Sequence, residues 1–151
     1  MNAFDILKQD HRLVDEIFTK LKATPESQSQ VREELFTKLA TELTVHAQVE
    51  EDILYPTLQE FEETEDLIDE SYEEHDQMKQ YLSEMASLPA GSEQWTEKLN
   101  SLIESVHHHV AEEEGEVFQE AESVLSDGQI EEITNLILAE KQQLKEMTAG
   151  M

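Results

Sequence analysis

Apolar residues return every three or four positions along almost the whole chain, the spacing that keeps them on one face of an α-helix. The first stripe runs Phe4, Leu7, His11, Val14, Phe18, Leu21 and predicts a helix from about Phe4 to Lys22. The second runs Val31, Leu35, Leu39, Leu43, His46, Glu50, Leu54, and the third Ile68, Tyr72, His75, Leu82, Met85, with Met78 alongside. A fourth helix, from Glu93 to about Ser123, carries Trp95, Leu99, Leu102, Val106, His109, Glu113 and Val117; a fifth carries Ile130, Ile133, Ile137 and Leu144. No run alternates with the period of two that a half-buried strand requires.

Breakers separate the stripes. Pro25 lies in the first connection, where Thr24 or Ser27 can cap the second helix, and Pro56 is expected to kink or end that helix. The acidic run from Glu60 to Asp66 reads as a solvated helix end and connection, with the third helix starting around Glu65. Leu88-Pro89-Ala90-Gly91-Ser92 is the clearest loop, and Ser126 with Gln129 has the spacing of a capping box. The predicted fold is all-α: an antiparallel up-down-up-down four-helix bundle over about residues 4–122, with an additional C-terminal helix over about 127–147. That helix is expected to pack outside the bundle or against another subunit, leaving monomer and homodimer both open. The 151 residues are read as a single domain, long enough for one core and too short for two with separate functions.

Polar residues interrupt these stripes in a repeated way. His46 and Glu50 stand four apart on the second, His109 and Glu113 four apart on the fourth. A shift of 63 residues lays His46 on His109, Glu50 on Glu113, Glu51 on Glu114, Leu54 on Val117 and Tyr55 on Phe118. His11 and His75 occupy core-facing positions in the remaining two helices. An unpaired buried carboxylate costs several kcal/mol, roughly, unless it protonates or finds a hydrogen bond or a cation. In an antiparallel bundle the four histidines can meet near mid-height. His107 and His108 point about 100° and 200° around the helix from His109, and so towards the surface or the rim of the site.

Composition narrows the chemistry. With 36 acidic residues against 10 lysines and arginines, the formal charge is −26, which repels phosphate backbones and anionic lipid. Neither nucleic acid nor a membrane is expected as a partner. The absence of cysteine leaves nitrogen and oxygen ligands alone and suits the cytoplasm, the expected location. Imidazole with carboxylate is a transition-metal donor set, and six such ligands are too many for one tetrahedral structural zinc. If each glutamate bridges two ions, about two of roughly twelve octahedral positions stay open to exogenous ligands. No His-Glu-x-x-His motif, phosphate-binding glycine loop or Ser-His-Asp arrangement is visible.

His11, His46-x-x-x-Glu50, His75 and His109-x-x-x-Glu113, in that order on four helices, resemble the hemerythrin-like, HHE cation-binding family over about residues 4–120. The resemblance implies a non-haem di-iron centre, two oxo- or hydroxo-bridged Fe ions per chain, with the four histidines as terminal ligands and Glu50 and Glu113 bridging. Zinc and manganese stay open as alternatives. It further implies O2, NO or peroxide as the small ligand. Lys79 stands where oxygen-carrying members have a second histidine on the third helix, which implies a more open centre and brings redox chemistry closer to ligand storage or sensing. Tyr72, one turn before His75, and Glu114 are the candidates to fill that position. Binding and sensing form the first functional reading, redox turnover of the same ligands the second, and a metal-free helical interaction module with structural histidines the third.

Overall fold

The computed structural model of the chain describes residues 1–149, so the last two positions of the expected single domain, 150 and 151, lie outside the described residues. Helix α1 spans Ala3–Ala23 and is closed at its start by a reciprocal cap. Asn2 Oδ1 accepts from the Asp5 N–H, and an Asp5 carboxylate oxygen accepts from the Asn2 N–H, each at 3.0 Å. Helix α2 covers residues 29–58 as one rod in three parts: Ser29–Val49, a wider π-helical turn Glu50–Leu54, and Tyr55–Leu58. Helix α3 spans Glu62–Ala86. Helix α4 covers residues 93–124 in the same manner as α2, with Glu93–Glu112, a π-helical turn Glu113–Val117, and Phe118–Val124. Helix α5 spans Asp127–Ala149.

Several boundaries differ from the sequence expectation, each for a physical reason. Pro56 does not end α2, which runs on to Leu58. In a regular α-helix its ring would collide with the carbonyl four residues back; the wide turn just before it, closed by the Tyr55 N–H on the Glu50 carbonyl, makes room. Helix α2 starts without a side-chain cap at Gln28. The buried Arg32 secures that end by donating to the Thr24 carbonyl at 3.1 Å, the Ala90 carbonyl at 2.9 Å and the Thr96 hydroxyl at 2.9 Å, which ties two connections together. Gly91 belongs to this junction, since a Cβ there would lie 2.9 Å from the Glu26 carbonyl oxygen. Helix α3 begins earlier than expected because Glu62, Glu63 and Glu65 form its first turn, where carboxylates favour the helix dipole. The anticipated caps hold elsewhere: Ser92 Oγ accepts from the Trp95 N–H at 3.2 Å, and Ser126 and Gln129 exchange bonds of 2.9 and 3.1 Å.

The stripes meet as four antiparallel helices, and the interior is divided in two. One apolar cluster gathers Phe4, Leu7, Leu54, Leu58, Ile68, Val117 and Phe118; the other gathers Val14, Phe18, Leu39, Met85, Trp95, Leu99 and Leu102. Between them lies a polar layer. Each of α1 to α4 passes from one cluster to the other through it, so the two apolar halves fix the height at which the polar side chains meet. Helix α5 packs on its own chain rather than standing apart, burying Ile133 and Ile137 against the first cluster. It is also attached by the Ala3 N–H donating to Thr134 Oγ1 at 2.8 Å. No helix among the described residues is long and apolar enough to cross a membrane.

Candidate metal centre

The polar layer is made of His11 from α1, His46 and Glu50 from α2, His75 from α3, and His109 and Glu113 from α4, none more than 8% exposed. The imidazoles form two edge-to-face pairs, His11 with His46 and His75 with His109, each with ring centroids 4.9 Å apart. Glu113 joins the pairs: one oxygen lies 3.0 Å from His11 Nε2 and the other 3.2 Å from His109 Nε2. Glu50 Oε1 lies 3.2 Å from His46 Nε2 and 3.1 Å from His75 Nε2. Both carboxylates therefore span the two histidine pairs.

Both glutamates open a π-helical turn, at Glu50–Leu54 and Glu113–Val117. The extra residue in each turn shifts the phase of everything after it, so that the glutamate and the aromatic five residues later, Tyr55 or Phe118, both face the layer. Phe118 stacks on His11 with centroids 6.1 Å apart, and Tyr55 on His75 at 5.2 Å. Tyr55 is fully buried, and its hydroxyl donates to Glu113 Oε2 at 2.6 Å, with Glu50 Oε1 at 3.2 Å and His75 Nε2 at 3.3 Å. This seventh polar group was not singled out from sequence. The signal was present in the repeat, where one copy has Tyr and the other Phe.

Each histidine turns Nε2 inward and gives Nδ1 to a carboxylate. His11 Nδ1 is 2.7 Å from Glu114, His46 Nδ1 2.9 Å from Asp10, His75 Nδ1 2.8 Å from Glu51, and His109 Nδ1 2.6 Å from Glu74. An Nδ1–H donated to a carboxylate fixes the tautomer, leaving Nε2 as a lone pair aimed at the centre. Glu114 is thus placed on the outer face of His11. Tyr72 is half-buried and meets Tyr55 edge-on, with centroids 5.3 Å apart. Lys79 bonds to Glu51 at 3.1 Å, beyond His75. His107 and His108 are exposed, beside Asp15 and beside Glu74 and Glu112 respectively.

The donor set fits metal ions. His46 Nε2, His109 Nε2 and Glu50 Oε2 are buried without a hydrogen-bond partner, a costly state that a cation relieves. Two overlapping groups have ligand atoms within 4.8 Å of one another: Glu50, His75, His109 and Glu113, and His11, His46 and Glu113. Without a cation, protons take its place. Burial alone would depress His109, but the Glu113 and Glu74 carboxylates outweigh it and raise its pKa to about 10. His46 is likewise raised well above its usual value against the opposing effect of burial, chiefly by Glu50 and Asp10. Burial would raise Glu113, yet His109 holds it well below the usual carboxylate range.

The model of the hemerythrin HHE cation binding domain matches residues 2–121. The chain belongs to that family. A solved hemerythrin HHE cation binding domain-containing protein from Mycobacterium kansasii is 27% identical and superposes with a TM-score of 0.85, covering 97% of this chain and 89% of that one. A protein from Nostoc sp. (strain PCC 7120 / SAG 25.82 / UTEX 2576) named as a DNA nickase is 29% identical over 150 residues. Those residues are 99% of this chain and 42% of the relative, so the chain spans less than half of its length.

In this HHE domain a surface groove of about 490 Å³ between α1 and α4 approaches the centre, walled by Val14, Phe18, Val106 and Val110 and reaching His11 and Glu114. Inside it lies an apolar cavity of about 10 Å³ against His11, His46 and His109, room for about one water-sized molecule. Val14, Val106 and Val110 line both spaces.

Proposed function

We propose that the chain holds two iron ions between the histidine pairs, bridged by Glu50 and Glu113, and through them binds O2 or a related small ligand, NO or peroxide, for storage or sensing. The single observation that carries this is the aim of the ring: four Nε2 atoms and two carboxylates converge on one buried layer, and every Nδ1 is held from behind. A bound iron pair would supply exchangeable coordination positions and redox electrons, which none of these side chains can offer. The protein's part is to orient the imidazoles, to neutralise charge with two buried carboxylates, and to keep bulk water out with an apolar cluster on each side. The small inner cavity, behind Val14, Val106 and Val110, favours ligands of two or three atoms.

The Tyr55 hydroxyl favours a second reading, redox turnover of peroxide, O2 or NO. It is a proton donor among the inward-facing side chains and close to His75, whereas the matching Phe118, stacked on His11, has no such group. The nicking activity in the Nostoc protein's name is not carried over, because a net charge of −26 opposes contact with a polyphosphate. Aerobically purified protein should contain about two irons per chain, and mixing the reduced protein with O2 separates the readings. A stable, reversible adduct means binding; irreversible oxidation or turnover with peroxide means chemistry. Protein that takes up no iron overturns both.

A further inference from the structure

Of the four carboxylates that hold an Nδ1, two also meet a lysine. Lys79 on Glu51 has a side chain 48% exposed, so water screens most of its charge. Lys141 on Asp10 is different: its side chain is 15% exposed, that of Asp10 9%, and Nζ lies 2.5 Å from Asp10 Oδ1. Asp10 Oδ2 is the atom that faces His46 Nδ1 at 2.9 Å, and His46 Nε2 looks into the centre. The chain of contacts Lys141–Asp10–His46 thus runs from α5 to a metal-facing nitrogen. Helix α5 lies beyond residues 2–121, the segment matched by the domain model. It is already docked by Ile133, Ile137 and the Thr134 hydroxyl. Even a largely buried ion pair is a poor stabiliser, since desolvation offsets much of its attraction, and an apolar residue at 141 would cover the bundle at less cost.

We propose that Lys141 is a positioning residue of the metal centre: by fixing Asp10 it orients His46, so that this contact from α5 slows the loss of metal from the His11–His46 pair. The inference rests on the metal-binding reading above. The four-carboxylate pattern supports its asymmetry. Asp10 precedes His11 and reaches His46, as Glu74 precedes His75 and reaches His109, yet a lysine meets only the first of these two.

The test uses the full chain loaded with zinc and follows release to an excess of chelator, with the step belonging to the His11–His46 pair identified as the one that H46Q abolishes. K141M is expected to accelerate that step about 10-fold, the low end for outer partners of metal-binding histidines, and to leave the other step unchanged. K141R should restore the wild-type rate, and K141Q replaces K141M if the latter does not fold. Equal acceleration of both steps, in line with a lower melting temperature of the metal-free protein, would show a merely structural role and overturn the proposal. So would unchanged release in both variants. A wild-type chain that retains neither zinc nor iron overturns the metal reading beneath it, which is a distinguishable failure.

Discussion

Tyr55 stacks on His75 as Phe118 stacks on His11, and the hydroxyl that distinguishes the two rings lies 2.6 Å from Glu113 Oε2. The two halves of the centre are therefore alike in shape and unlike in chemistry. Burial, with Glu113 and Glu50 nearby, pushes the Tyr55 pKa well above its usual value, so in the metal-free protein the phenol stays protonated and donates. Tyr55→Phe keeps the ring and removes that bond. Denaturant unfolding of the metal-free protein should show a loss of about 2 kcal/mol, typical of a hydrogen bond to a buried charged group. Metal content should stay at the wild-type level, because the four histidines and two glutamates remain.

Glu113 belongs to both groups of converging ligand atoms. Glu113→Gln should therefore weaken both metal positions, each by more than about 100-fold, beyond what loss of an outer partner costs. Competition with a metal-sensitive dye measures this. A variant that lost a single metal and kept the other at wild-type affinity would show that Glu113 does not bridge.

His109 gives the metal-free protein a distinct pH dependence. Its pKa is raised to about 10 from an ordinary 6.5, so the folded state binds the proton more tightly than the unfolded chain. The stability this contributes is complete below about pH 6.5 and is lost as pH rises towards 10. Melting temperature of the metal-free protein should fall across that window, and His109→Gln should flatten the fall. Metal must displace the same proton, so uptake in weak buffer should release protons and affinity should drop as pH falls.

Glu140 titrates near neutrality for another reason. Partial burial on α5 and the neighbouring Asp52 carboxylate raise its pKa to about 7 from 4.5. Its folded-state proton is favoured below about pH 4.5, and the benefit disappears as pH rises through 7. Glu140→Gln should raise the melting temperature more at pH 8 than at pH 5. An equal effect at both pH values would refute the assignment.

The charge of −26 sets a wider expectation. Self-repulsion among carboxylates opposes the compact state and is screened by salt, whose Debye length shortens from about 30 Å at 0.01 M to about 10 Å at 0.1 M. The melting temperature should rise over that range. A midpoint flat in salt would show that local ion pairs already balance the field.

The helices and the six inward positions were legible because both depend on spacing. A period near 3.6 places residues three or four apart on one face, and His46 with Glu50, or His109 with Glu113, share a face whatever surrounds them. The ends of the elements were less legible. Pro56 is a helix breaker by local rule, and only the π-helical turn before it removes the collision. Nothing in the spacing of the second stripe marks Arg32, and only the meeting of two connections makes it a buried clasp.

Sequence by itself determined that four amphipathic helices would carry a histidine or a His-Glu pair to a shared core, since the repeat of side chains is written in order and phase. Tertiary structure alone decided what stands behind each ligand. Asp10, Glu51, Glu74 and Glu114 meet histidines on other helices, Lys141 arrives from α5, and Tyr55 enters after a change of helical pitch. Helical periodicity fixes neighbours within one helix; contacts between helices depend on how the two apolar clusters pack, and that is a property of the whole chain.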